Sequence, residues 1–523
     1  MRTPLAELQN ASFDVIVVGG GISGASSAQH LAAAGYRVLL VEKDDFASAA
    51  TSRSGRVLHC GLRYLAPAYS PWEFLRHPGK LFTAIRVARK SSLASDEFVA
   101  TTPERARRMT LSIPVYRDSP FPGWQVGLGA ALLKLVAGRR LPLAFRRRSA
   151  AVAQTMPLAK WLRAPEKLES VVSFDDYQFD WPERICLDCV LDAERMGAIV
   201  RNYTSAVTIE RVNDRWTVTL RDELVREKAT VTVSAPVLLN MAGAWIDKVN
   251  GGMRGAGRAP RKVVGVKGVH FLVRLPPECA GQGLAGINRE NEGIACLPWG
   301  DLHFVGPTET VYEGDIDDVR PLEEDISFLL DEINYLLPGI RLERKDVLQS
   351  WAGIRPITYD PALPKGRRMP FSVLQDLEPE GLPNVLTITW AAIMFHRDAA
   401  REVVAAVVGK LKPSGSEKRP DYSARSFPEN QNSPPLVISH PEVKVADIAY
   451  AARHEKAQTL VDLLFRRTGL GWRASIPREA VRTAAETAGR ELGWDAATTE
   501  IEIAKFHAYV ANYHGEPVTE WNA

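Results

Sequence analysis

The residues with the clearest chemical potential stand near the start. Gly19, Gly21 and Gly24 fill the spacing G-x-G-x-x-G between an apolar run, Phe13 to Val18, and a helical periodicity, Ile22 through Leu31. The first glycine permits a tight turn, the second admits a pyrophosphate against the backbone, and the third lets helix and strand pack closely. Free amide hydrogens and the dipole of the helix N-terminus favour that negative charge. Glu42 ends the next apolar run, Arg37 to Val41, where an acid accepts ribose hydroxyls and repels a 2′-phosphate. The spacing points to a dinucleotide and does not by itself separate a flavin from a nicotinamide.

Downstream, the mostly small residues of Ala47 to Ser54 can pass close beneath a flat ring system, and Arg56, His59, Arg63 and Tyr64 follow. His59 is the leading candidate for a general base, because the unperturbed imidazole pKa lies nearest working pH; a structural histidine bonded to backbone is the competing role. Arg63 and Arg355 offer planar, permanently charged, bidentate donors for a phosphate or an alkoxide. Arg367 and Arg368 are candidates for a second phosphate contact, and Tyr64 either bonds substrate or packs. Cys186 and Cys189 form a CxxC, but it lies in a segment that reads as a helix and has no second pair. Neither a metal nor a redox role is expected there.

The elements that must hold these residues follow from periodicity. Residues 13–42 read as strand, helix, strand, the length of a right-handed parallel crossover, so the glycine turn sits in an α/β, Rossmann-like unit. Helical patterns recur at Lys80 to Ala94, Val126 to Gly138, Arg184 to Val200, Asp325 to Leu337 and Phe395 to Leu411. Strands are expected at Val207 to Val212 and Trp216 to Leu220, a hairpin about Asn213-Asp214. Further strands are expected at Ala229 to Leu239, Val263 to Val273, Gly293 to Val305 and Val385 to Thr389. Residues 412–436, rich in Pro, Ser and charge, read as a linker; Val445 to Thr468, Pro477 to Leu492 and Ala496 to Asn512 predict a small helical C-terminal domain.

Bulk properties bound the partners. At 523 residues, two or three domains are expected. Lysine and arginine number 65 against 62 acids, and a net +3 gives no electrostatic case for nucleic acid. Five cysteines without paired metal-binding spacings fit a reducing, cytoplasmic compartment, and the first ten residues lack the apolar core of a signal peptide. Val126 to Gly138 is too short to span a bilayer. With Arg139, Arg140 and Arg146 to Arg148 behind it, the segment either faces the core or rests peripherally on an anionic membrane face.

Taken together, VIVVGGGISGASSAQHLAAAGYRVLLVEKDDFASAATSRSGRVLHCGLRYL resembles the opening of FAD-dependent glycerol-3-phosphate dehydrogenases. The family's HGGLRYL motif stands here as His59 to Leu65, with Cys60 in place of a glycine. NMAGAW (Asn240 to Trp245) resembles NATGPW, Lys267 to His270 resembles KGSH, Leu297 to Glu309 resembles the PW…GTTD segment, and WAGIRP (Trp351 to Pro356) resembles SGVRP. Ala446 to Trp472 is similar to the family's C-terminal helical domain, so the resemblance covers nearly the whole chain.

The resemblance implies a glutathione-reductase-type FAD-binding domain, an inserted substrate domain with a β-sheet, and an α-helical C-terminal domain. The expected boundaries are 1–75, 155–250 and 345–412 for the first, 76–154 and 251–344 for the second, 413–436 for the linker and 437–523 for the last. Implied FAD contacts are Gly19, Gly21, Gly24, Glu42, Ser52, Arg53, Ser54, Val207, Ala242 and Gly243. The implied catalytic set is His59, Arg63, Tyr64 and Arg355, and the implied substrate contacts are Arg63, His270, Thr308, Arg355 and Arg368, with no metal. The activity implied is oxidation of a polyol phosphate, sn-glycerol 3-phosphate above all, with electrons passed to a membrane quinone or to oxygen; a homodimer is left open.

Departures from the family leave alternatives. Where the family has a GGKLTTYR-like segment, this chain has Trp390 to Arg397, without the lysine and two glycines, and His396 is the candidate to replace the lysine. A longer polyol phosphate such as erythritol phosphate is one alternative. An amine or amino-acid oxidase is another, opposed by HCGLRYL and the C-terminal segment, and a flavin-binding protein without turnover is a third.

Overall fold

The computed structural model describes residues 2–58, 76–117, 125, 127–128, 131, 144–225, 229–368, 371–430, 432–473 and 476–515. Outside these lie His59, Cys60, Arg63 and Tyr64, most of the Val126–Gly138 segment, and Arg139 and Arg140.

The glycine turn leaves β1 (Val15–Val18), a strand buried on both faces, which is why its sequence is a continuous apolar run. With β2 (Val38–Val41), β7 (Ile199–Arg201), β11 (Val237–Asn240), β19 (Val373–Asp376) and β20 (Val385–Trp390) it forms a six-stranded sheet in the order β19-β20-β11-β1-β2-β7. β1 lies between β2 and β11 and runs parallel to both; β19 is antiparallel to β20. Helices α1 (Ile22–Ala33), α3 (Pro182–Arg195) and α5 (His396–Val408) share one core with this sheet, and α2 (Pro78–Thr101) joins it through Phe98. The other face packs on a four-stranded sheet of β8 (Thr204–Val212), β9 (Arg215–Asp222), β10 (Thr230–Ala235) and β12 (Met253–Arg254). Asn213 (φ 46°) and Asp214 (φ 62°) turn the β8–β9 hairpin, the two positive φ values that such a tight connection needs.

A second body is a ten-stranded sheet. It comprises β3 (Val57–Leu58), β4 (Ala106–Tyr116), β5 (Arg146–Ser149), β6 (Leu168–Phe179), β13 (Val263–Val273), β14 (Gln282–Ile287), β15 (Gly293–Trp299), β16 (Leu302–Gly306), β17 (Thr310–Val311) and β18 (Gln349–Thr358). α4 (Glu323–Leu336) packs on it around Leu329 and Ile333. β6 and β18 arise within intervals expected for the nucleotide-binding domain, yet hydrogen-bond into this sheet, β18 along ten residues of β13.

Three elements differ from expectation for local reasons. The expected strand Ala229–Leu239 divides at Pro236, which cannot donate to a ladder, so β10 pairs with β9 while β11 joins β1. The expected helix Arg184–Val200 stops at Arg195, before Gly197 at φ 107°, and Ile199–Arg201 becomes a strand beside β2. Gly293–Val305 is a hairpin, β15 and β16, turned at Gly300 with φ 61°.

The C-terminal part contains the short hairpin β21 (Pro435–Val437) and β22 (His440–Lys444), then α6 (Val445–His454), a π-helical segment Asp462–Arg467, α7 (Arg478–Leu492) and α8 (Ala496–His514). The expected helix Val445–Thr468 is therefore broken, at Lys456 with φ 59°. The described residues of the preceding Pro- and Ser-rich segment form no helix or strand before Pro435, but the segment is strapped to the nucleotide-binding unit. Gly415 N donates to Gly35 O at 2.8 Å, Lys418 N to Ala33 O at 2.6 Å, and the Tyr422 hydroxyl meets His30 Nε2 at 2.9 Å. Among the described residues no helix is long and apolar enough to cross a membrane.

Candidate active site

A cavity of 1380 Å³ begins at the glycine turn and runs between the two large sheets to Arg355 and Arg368. At its start Gly19, Gly21, Ile22 and Ser23 present the N-terminus of α1. Gly19 adopts φ 111°, and a Cβ there would lie 2.5 Å from Met241 O; a Cβ on Gly24 would overlap the Gly19 carbonyl. Gly24 is thus buried under the turn rather than at the cavity wall, as close helix packing requires. Ile22 N donates to Thr51 Oγ1 at 3.1 Å, so the small-residue loop buttresses the helix start.

Glu42 accepts from Gly20 N at 2.6 Å and Asp44 N at 3.0 Å. Burial pushes its carboxyl up to about 7, against the pull of those two amides. Beside it Lys43, Lys248 and the Trp245 indole converge on Asp317 of the ten-stranded body. Val207, Ala242 and Gly243 line the same end. Arg53 and Ser54 line the cavity as well; Arg53 Nη1 donates to Ala352 O at 3.3 Å and to Val319 O at 3.4 Å. Ser52 faces inward, its hydroxyl on Ala49 O at 3.2 Å, and is not among the lining residues.

At the far end His270 lines the cavity at 2% exposure, its ring stacked on Trp351 at 5.2 Å, and neither ring nitrogen has a hydrogen-bond partner among the described residues. Burial pushes its pKa down to about 3, helped by the charges of Arg355 and Arg56, so the imidazole is neutral. Arg355 lies over Gly268, where a side chain would collide with the guanidinium. Its Nη1 donates to Glu309 Oε1 at 3.4 Å, and Arg368 binds Glu309 through both terminal nitrogens. Burial opposes the charge on Glu309, but Arg368, Arg355 and Lys365 hold its carboxyl below the usual range.

Other expected residues sit elsewhere. Thr308 is buried behind the wall, its hydroxyl accepting from Val269 N at 3.0 Å. Arg367, itself exposed, pairs with Asp360. His396 lies under the wall formed by Trp390 to Ile393, with Nδ1 2.7 Å from Ile393 O, and does not reach the cavity. Cys186 and Cys189 are free, buried thiols in α3, the former donating to Gly20 O at 3.4 Å; burial raises both pKa values, that of Cys189 to about 12. Such thiols are inert.

Two contributions escaped the sequence. Arg56, at φ 55°, is fully buried, pairs with Glu183 at 2.8 Å, and lies between the faces of Trp299 and Trp472 at 4.2 and 4.5 Å. The other is α8, whose Glu502, Lys505, Tyr509 and Tyr513 form part of the wall. A positively charged residue in a small-residue loop and aromatics on a helix carry no signal of such meetings, because each partner is remote in the chain.

The glycine cradle, the ribose-ready acid and a long cavity ending at an unpartnered imidazole fit a flavin dinucleotide. The family described as FAD dependent oxidoreductase matches residues 14–389, and that described as the C-terminal domain of alpha-glycerophosphate oxidase matches 425–499. The chain is 27% identical to a glycerol-3-phosphate dehydrogenase of Synechocystis sp., over 96% of this chain and 97% of the relative. Its fold is similar to glycerol-3-phosphate dehydrogenase from Bacillus halodurans complexed with FAD, with TM-score 0.71 and 18% identity over 99% of this chain and 98% of that one. It is also similar to FAD-bound L-alpha-glycerophosphate oxidase from Mycoplasma pneumoniae, with TM-score 0.58 and 15% identity over 80% and 100%. Because the first match takes in the glycine turn, His270 and Arg355 in one continuous stretch, the chain belongs to the FAD-dependent oxidoreductase family.

Proposed function

We propose that this enzyme oxidises the secondary alcohol of sn-glycerol 3-phosphate to dihydroxyacetone phosphate. The observation that carries the reading is the meeting of His270 and Arg355 in the cavity that starts at the glycine turn. The relative named glycerol-3-phosphate dehydrogenase, aligned over nearly the full length of both chains, supports the substrate.

When bound, FAD supplies the acceptor for a hydride from the alcohol carbon. The turn at Gly19 to Ser23 would hold its pyrophosphate and Glu42 its ribose. His270 takes the hydroxyl proton on a ring nitrogen: it is neutral beforehand, and an arriving anion that offsets Arg355 raises its affinity for the proton. Arg355 orients the phosphate, and Trp390 to Ile393 line the cavity. In this reading a membrane quinone takes the electrons from a peripheral position, in keeping with the exposed basic strand β5.

Anaerobic mixing with sn-glycerol 3-phosphate is expected to bleach the flavin. In His270→Asn, FAD stays bound and bleaching slows by about 10²–10⁴-fold, the usual worth of a general base. Full-rate bleaching in that variant would remove His270 from the chemistry, and no bleaching of the wild type by any polyol phosphate would remove the proposed substrate.

A further inference from the structure

The ring of His270 is lodged from several sides. It stacks on Trp351 at 5.2 Å with 14° between the planes, and it meets the Phe304 ring edge to face at 5.7 Å. Its Cδ2 edge lies against Gly306, where a Cβ would come within 2.7 Å. Interiors packed in this way hold a side chain in one orientation. In that orientation Nε2 faces Gly55, and a Cβ added there would lie 3.5 Å from it. Both residues line the cavity.

The loop opposite the ring is fixed as firmly. Arg56, next to Gly55, pairs with Glu183 at 2.8 Å, donates to Ser52 O at 3.0 Å and is clasped between Trp299 and Trp472. Its carbonyl accepts from Phe179 N at 2.7 Å. Two residues before Gly55, Arg53 packs on β18 so closely that a Cβ on Gly353 would come 2.8 Å from Arg53 Cβ. With both walls held, the missing side chain of Gly55 sets the approach to Nε2.

A hydroxyl that gives its proton to a ring nitrogen must come within about 2.6–3.2 Å of it. A methyl group in van der Waals contact with Nε2 would cover that position. Resting on the reading of the site as a polyol phosphate dehydrogenase, we propose that Nε2 of His270 takes the hydroxyl proton and that Gly55 is the specificity-determining residue whose bare Cα admits a secondary alcohol to it. The neutral imidazole carries one N–H, so the resting proton is on Nδ1. In the step the hydroxyl proton passes to the lone pair of Nε2 and the ring becomes imidazolium. The alcohol carbon loses its hydrogen with the bonding pair to the flavin, and a carbonyl forms.

Gly55 has no left-handed φ, and 3.5 Å is an ordinary carbon–nitrogen contact, so the fold accommodates alanine there. Holoenzymes of the wild type, Gly55→Ala, His270→Asn and the double variant are mixed anaerobically with sn-glycerol 3-phosphate. Gly55→Ala is expected to keep its FAD and its melting temperature and to bleach about 10²-fold more slowly, the cost of a misplacement of about 1 Å. On the His270→Asn background the same substitution is expected to cause no further loss, because the nitrogen it covers is gone. Full-rate bleaching in Gly55→Ala, or an equal loss on both backgrounds, overturns the proposal. A second measurement needs no turnover. Nitrogen NMR of the oxidised holoenzyme with isotope-labelled histidine, its His270 signals identified by their loss in His270→Asn, reads which ring nitrogen carries the proton. A protonated Nδ1 beside a bare Nε2 is expected, and a protonated Nε2 overturns the proposal whatever the substrate. If no polyol phosphate bleaches the wild type while Nε2 is bare, it is the function proposed above that fails and the assignment of the nitrogen that stands.

Discussion

An added methyl group has opposite meanings at Gly24 and Gly268. At Gly24 it would overlap the Gly19 carbonyl, which is backbone, so α1 must move off the sheet. Gly24→Ala is expected to cost about 1–3 kcal/mol in denaturant unfolding and to release FAD, as overpacking does. At Gly268 the obstacle is the far end of the Arg355 side chain, which can swing aside. Gly268→Ala should therefore leave unfolding nearly unchanged while raising KM for the phosphate substrate, a separation read by comparing steady-state kinetics with melting.

Glu42 makes a pH prediction of its own. Its folded pKa is raised to about 7, above the unfolded carboxyl value, so the cofactor-free fold loses stability as pH rises from the unfolded value through 7. Ribose hydroxyls are accepted by the ionised form, so FAD binding is expected to tighten over the same interval and to release a proton. Glu42→Gln should weaken FAD at about pH 8 yet raise the melting temperature of the apoprotein there, by a few degrees; calorimetry in two buffers of different ionisation enthalpy counts the proton. The glycines and Glu42 were legible in the sequence because their chemistry is local. His270 was named through its resemblance to the KGSH segment, but the burial and the partners of Arg56, His270 and Glu309 were not legible, because these come from other elements.

At the scale of elements, the turn after β2 is held from the C-terminal side. Asp45 accepts from both Arg466 and Arg467 of the π-helical segment, and Asn202 Nδ2 donates to it at 2.8 Å. Burial alone would raise the Asp45 pKa, but the two guanidinium groups outweigh it and hold the carboxyl well below its usual range. The contribution to stability is therefore present above the unfolded pKa and is lost as pH falls through the folded one. Arg467→Ala leaves a buried carboxylate short of a partner and is expected to cost about 3–5 kcal/mol in unfolding, with FAD affinity falling alongside because Asp45 follows Glu42 so closely. Strands and helices were legible where a single period ran unbroken, as in β1, β13 and α4. Boundaries failed at Pro236, Gly197 and Lys456, where one residue redirects the chain without interrupting its apolar pattern.

Across the whole molecule, the cavity is a joint product of three parts that the sequence lays out hundreds of residues apart. The nucleotide-binding unit supplies Gly19 and Glu42, the ten-stranded body His270, Glu309 and Arg355, and the C-terminal helix α8 Lys505 and Tyr513. The Tyr513 hydroxyl donates to Asp318 at 2.9 Å, and the segment expected to be a linker lies strapped across α1. Sequence alone determined the dinucleotide turn, the apolar strands that flank it and the helical character of the C-terminus, because each is written in residue type and short-range spacing. Only tertiary structure decided that His270 and Arg355 line one cavity, that Glu309 pairs with Arg355 and Arg368, and that the C-terminal helices wall the cavity. Those are facts of pairing between distant segments, and pairing energy depends on burial and geometry that no local pattern encodes.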